Sequence, residues 1–154
     1  MTRLNRRAWL QATSSSVIVL ALPLRAFERE DTLTFATWAR DTFGKMPVED
    51  HRVAITLPAL AENGNSVALR VDVEHPMAET DYVRTIDVFA PANPVPHLAR
   101  FNLSPYSGQA TVSTRIRLAG DQVVHAVATL SNGECISSGA KIVVTEAACL
   151  DFLI

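Results

Sequence analysis

Val67-Ala68-Leu69-Arg70-Val71-Asp72-Val73 places Val67, Leu69, Val71 and Val73 on one face and Arg70 and Asp72 on the other. Successive strand side chains point to opposite faces, so this period of two marks a half-buried strand. The same period recurs upstream at Val53, Ile55 and Leu57, and downstream where Ala110, Val112, Thr114, Ile116 and Leu118 alternate with Ser113, Arg115 and Arg117. Residues 83–90, 122–130 and 136–145 read as further strands, and Ala99, Phe101 and Leu103 begin another. Between them stand turn signals: Glu62-Asn63-Gly64-Asn65, with Asn-Gly suited to positive φ, Ser104-Pro105-Tyr106-Ser107-Gly108, Ala119-Gly120-Asp121 and Ser131-Asn132-Gly133. The proline-rich connection 91–96 does not suit the interior of a sheet. About seven short strands with turn chemistry between them predict an all-β fold, an immunoglobulin-like antiparallel β-sandwich.

One helical pattern precedes the strands. Phe35, Trp38, Ala39 and Thr42 or Phe43 recur at helical spacing, Asp31 or Thr32 is the expected cap, and Gly44 is the expected stop. This short N-terminal helix is expected to pack its aromatic stripe on the sheet.

The N-terminus carries a different signal. Asn5-Arg6-Arg7-Ala8-Trp9-Leu10-Gln11 sets two arginines before an aromatic residue and a leucine, and a brief apolar stretch, 16–22, closes on Pro23-Leu24-Arg25-Ala26. That is the layout of a twin-arginine export signal over residues 1–26, leaving one domain, 27–154. The apolar stretch falls well short of the roughly 20 residues that span a bilayer, so no membrane association is expected after cleavage. The whole chain has a formal net charge of −2, and subtracting the four arginines of the signal (Arg3, Arg6, Arg7 and Arg25) leaves −6. An acidic domain is poorly suited to a nucleic-acid partner, whose phosphates call for clustered Lys and Arg.

Little in the chain suggests catalysis. His51, His75, His97 and His125 are scattered, with neither metal-ligand spacing nor a Cys-x-x-Cys pair, so neither a metal nor a cofactor is expected. Copper held by His125 with Cys135 or Cys149 would lack further soft ligands, and a hydrogen-bonded strand histidine is the simpler reading of His125. Glu74, Glu79 and Asp81 read as a solvated hairpin tip. Two cysteines in an exported chain invite a disulfide. A straight strand between Cys135 and Cys149 would hold them roughly 30 Å apart, against the 4.4–6.8 Å between Cα atoms that a disulfide needs, unless Ser137-Ser138-Gly139 breaks it.

Glu62-Asn63-Gly64-Asn65, Pro76-Met77, Asp81-Tyr82-Val83, Asn93-Pro94-x-Pro96, Phe101 with Pro105 and Ser107-Gly108, the run from Val112-Ser113-Thr114 through Arg115-Ile116-Arg117-Leu118-Ala119, and Ala126-Val127-Ala128 together resemble the SoxY family, the sulfur carriers of bacterial thiosulfate oxidation. The likeness follows chain order from about Val53 to Thr145. It implies a periplasmic, non-enzymatic protein that pairs with a SoxZ-like subunit and meets a c-type cytochrome and other Sox enzymes transiently. It also implies a covalent sulfur attachment at Cys149, since Val144-Thr145-Glu146-Ala147-Ala148-Cys149 aligns with the family's C-terminal carrier arm. The family's glycines are absent, Ala147 and Ala148 replacing two and Leu150-Asp151-Phe152-Leu153-Ile154 the rest. Alanine restricts φ and the apolar tail favours burial, so this arm differs physically from a glycine-rich one. The alternative is a SoxY-like binding subunit without carrier activity, in which Cys135 and Cys149 are structural.

The signal reading predicts that exported protein begins within a few residues of Phe27. Mass analysis of periplasmic material would read that terminus, and retention of Arg6 and Arg7 would overturn the reading.

Overall fold

A computed structural model describes residues 25–147, with side chains from Thr34 onward. Two sheets face each other across an apolar core. The larger is built from β1 (Val48–Glu49), β3 (Leu60–Asn63), β5 (Val83–Phe89), β6 (His97–Asn102), β8 (Gln122–Leu130) and β9 (Cys135–Glu146). The smaller contains β2 (Val53–Thr56), β4 (Val67–Val73) and β7 (Ala110–Ile116). The order is β1-β9-β8-β5-β6 in the first, with β3 also on β9, and β2-β4-β7 in the second.

Alternation in the sequence becomes burial in the sandwich. Val67, Leu69, Val71 and Val73 are buried and meet Ile86, Val88, Val124, Ala126 and Ile142 of the opposite sheet. Full burial of such side chains contributes about 1.5–3 kcal/mol each before the entropy of ordering is subtracted. The β-sandwich expectation is met. The connection through Pro91–Pro96 stays outside the sheets, and a 3-10 turn over Pro105–Ser107 occupies the Ser104-to-Gly108 reversal, ending on Gly108 at φ 73°.

Four details differ from the sequence reading. Among the described residues the strands number nine rather than about seven, because β1 and β3 are short and pair with β9 in parallel, leaving no period of their own. The sheet is therefore mixed rather than wholly antiparallel. Gly64 is not at positive φ; the Asn63 side chain accepts from the Asn65 amide instead, and Gly64 continues the ladder by donating to the Glu146 carbonyl at 2.8 Å. The helix, α1 (Arg25–Phe43), is already running at Asp31 and Thr32, so neither caps it. No glycine or proline interrupts residues 25–43, and nothing local stops a helix there. Its other end is as expected, with Gly44 at φ 69° donating to the Arg40 carbonyl at 2.8 Å.

The fourth detail is Ser137-Ser138-Gly139, which does not break the chain: β9 runs through all twelve residues. Gly139 serves close packing. A Cβ there would lie 3.0 Å from Val123 Cγ1 and 3.3 Å from His125 Nδ1.

Helix α1 closes the outer face of the larger sheet with a second small core of Phe35, Ala39, Phe89, Val127 and Cys135. Trp38 stacks on Phe89 at 4.4 Å between ring centroids, and Phe35 lies flat on His125 at 3.9 Å and 5°. His125 is not the hydrogen-bonded strand histidine expected, since its Nε2 is buried and finds no partner among the described residues. Burial disfavours the charged ring and pushes its pKa down from 6.5 to about 4.

That shift has a definite sign. Unfolded, the ring protonates near pH 6.5; folded, it stays neutral to about 4. Stability is therefore undiminished above the unfolded value and falls by up to about 3 kcal/mol as pH drops through this window. His125→Phe, which keeps a flat ring beneath Phe35, should remove this part of the slope. Urea unfolding of both proteins between pH 7 and 4 would measure it, and parallel slopes would refute the assignment.

Candidate functional site

Cys149 and residues 150–154 lie outside the described residues. What the structure describes is the end of the sandwich from which the chain leaves towards them. There β9 is held from two sides. On one edge it pairs in parallel with β3, Leu60 opposite Val143, Ala61 opposite Val144 and Asn63 opposite Glu146. Across the other, the Asp121 carboxylate accepts from the Val144 amide at 2.7 Å. The Glu146 carbonyl, three residues short of Cys149, still accepts from Gly64.

A network of buried amides stiffens the same end. Asn93 donates through Nδ2 to the Arg117 carbonyl at 2.7 Å and accepts at Oδ1 from the Ala119 amide at 2.9 Å. Gln122, fully buried, donates to Asn93 Oδ1 at 3.0 Å and accepts from the Ala92 amide at 3.0 Å. The loop at 117–121 and the proline-rich connection are thus tied together and to the start of β8. Neither Asn93 nor Gln122 stands out by pattern, because a buried amide is defined by partners far away in sequence. The Asn93-Pro94 motif and the Ala119-Gly120-Asp121 turn were the available hints.

Cys135 sits at the opposite end. It is free, buried beneath α1, and has polar contacts with Thr129 Oγ1 and the Gly133 carbonyl, at 3.8 and 3.9 Å. A thiol enclosed in this way is not displayed to other proteins. The twelve residues of β9 separate it from the exit by roughly 35 Å, while three further residues span at most about 11 Å. An intramolecular bond between Cys135 and Cys149 is excluded by that length.

The histidines meet carboxylates in separate contacts. His51 is exposed, His75 contacts Asp81 at 2.8 Å, and His97 contacts the wholly buried Asp87 at 2.8 Å, where Arg100 Nε also donates at 2.7 Å. The Arg100 guanidinium and the His97 ring thus offset the cost of burying Asp87. Asp50, paired with Arg52, has its pKa lowered to about 2, chiefly by the side-chain hydrogen bonds from that guanidinium. Among the described residues no three His, Cys, Asp or Glu side chains are grouped to hold a metal, and no helix is long and apolar enough to cross a membrane. Among the described residues, His125 and Cys135 do not form part of a metal-binding group.

Comparison with known proteins places this architecture. The family model for sulfur oxidation protein SoxY matches residues 39–149, most of the chain and ending on Cys149. No curated protein matches. Among solved structures, the sulfur carrier protein SoxY from Chlorobium limicola f thiosulfatophilum is 25% identical with a TM-score of 0.65, covering 78% of this chain and 99% of that one. A putative superoxide reductase from Thermotoga maritima (22% identity, TM-score 0.57, 66% of this chain and 95% of that one) and the neelaredoxin-type superoxide reductase of Ignicoccus hospitalis (20%, 0.55, 61% and 80%) share the fold alone.

The clamp at the exit predicts a measurable loss. Asp121→Ala leaves the Val144 amide without its partner and should cost about 1–2 kcal/mol. Urea unfolding would give the value, and hydrogen exchange should show faster exchange at Val144 than at Ile136, which lies at the far end of the strand.

Proposed function

The chain belongs to the SoxY family of sulfur oxidation proteins, and from that premise we propose that it is a carrier holding sulfur intermediates covalently on Cys149. A carrier is not an enzyme. The chain supplies a thiol on a firm base, and other proteins make and break bonds to it. In the loading step, the Cys149 thiolate and the outer sulfur of thiosulfate form an S–S bond. The two electrons released pass to a c-type cytochrome, and the thiol proton goes to solvent. The requirement on this chain is an accessible thiol with enough thiolate character to react.

One observation carries the reading: the family match continues to Cys149, the position expected for the carrier cysteine. The geometry of β9 supports it, since the strand is hydrogen-bonded to Glu146 and the thiol follows three residues later. Cys135, the other thiol, is enclosed under α1. The reading as a subunit with a structural Cys135–Cys149 disulfide finds no support in the length of β9.

We further propose that the protein works in the periplasm, reached through a twin-arginine signal at residues 1–26, and pairs there with a SoxZ-like subunit. The unpaired outer edges of β2, β6 and β7 are surfaces that a small sandwich must protect or share.

Whole-protein mass spectrometry of native periplasmic material, purified with any partner that accompanies it, tests the proposal. Under thiosulfate-oxidising conditions, adducts heavier than the reduced chain should map to the C-terminal peptide. Cys149→Ser should abolish them and Cys135→Ser should leave them. Adduct-free protein with Cys149 reduced, or locked in a disulfide, would overturn the carrier reading.

A further inference from the structure

The side of the sandwich away from β9 is open. Strands β6 and β7 are the last of their sheets and are not hydrogen-bonded to each other. Between them lies a groove of about 560 Å³, walled by Val95, Leu98, Phe101 and Ile116, with Arg115 and Arg117 at its lip and no carboxylate lining it. Val95 is 71% exposed there, although the other large apolar side chains of the wall pack towards the core. An uncovered apolar groove with a cationic rim is unusual on a chain whose formal net charge is negative.

The chain itself contains a segment of matching chemistry. Leu150-Asp151-Phe152-Leu153-Ile154 offers four apolar side chains, the Asp151 carboxylate and the terminal carboxylate. We propose that this tail docks in the β6–β7 groove, with its apolar residues against Leu98 and Phe101 and its carboxylates at Arg115 and Arg117. The reach suffices. Glu146 and the groove's Asn93-to-Arg117 rim lie at the same end of the sandwich, linked through Gly64, which donates to Glu146 and accepts from Leu118. β9 and β6 are three strand spacings apart, about 14 Å, whereas the eight residues after Glu146 extend to about 26 Å. Docking would draw Cys149 across the loop at 117–121 and shield it.

The proposal does not depend on what Cys149 carries. Its test is the rate at which a small maleimide labels Cys149 in the Cys135→Ser full-length protein, so that failure of the carrier reading, seen as missing sulfur adducts, remains a separate result. Deleting residues 150–154 should raise the rate roughly tenfold, as for a tail docked about nine-tenths of the time. Val95→Asp and Arg117→Glu, both on exposed side chains that leave the core intact, should each raise it several-fold. Leu60→Asp, on the apolar pair that Leu60 forms with Val143 on the other side of the molecule, should not. An unchanged rate after deletion would overturn the proposal. So would a rate that responds to Leu60→Asp but not to the two groove variants, or protection that vanishes on dilution and therefore comes from a second copy.

Discussion

Strand β9 is hydrogen-bonded along both edges, to β8 on one side and to β1 and then β3 on the other, and much of the molecule follows from that. A strand held on one edge frays at its end, whereas one held on both keeps its direction to the last paired residue. Here β8 accompanies β9 as far as Ile142, and β3 carries the pairing on to Glu146. Parallel pairing of two short segments costs the chain an excursion, because it must leave β9 after β1, form β2 in the facing sheet, and return as β3. That excursion stitches the two sheets together at one side and leaves the other side, between β6 and β7, open.

The two ends of β9 have opposite characters. At its start Cys135 is covered by α1, whose aromatic side chains pack on Phe89 and His125 and exclude water from the outer face of the sheet. At its finish the strand is fastened by a carboxylate, Asp121, and by the neighbouring amide network of Asn93 and Gln122. Such hydrogen bonds define the direction of the strand without demanding burial.

A carrier needs a rigid base and a thiol that can be offered and withdrawn. Family members use glycine to make the arm free. This chain has alanines and an apolar tail in those places, and the physical consequence is a preference for contact over freedom.

The alternating runs at 67–73 and 110–118 determined the sandwich by themselves, because a period of two can bury only one face and two such faces must meet. The aromatic stripe from Phe35 to Phe43 likewise determined a helix packed on a sheet, and the family motifs singled out Cys149. Other features were decided only by tertiary structure. The parallel strands β1 and β3 have no period, being two and four residues long, and exist because β9 offers them an edge. Gly139 looked like a break and is instead a site of close approach, visible only once His125 stands above it. The Asn93 and Gln122 network, the unpartnered His125 nitrogen and the open β6–β7 side all depend on residues distant in sequence. Local pattern reports which face of an element is apolar; which partner covers that face is settled by the chain's path through space.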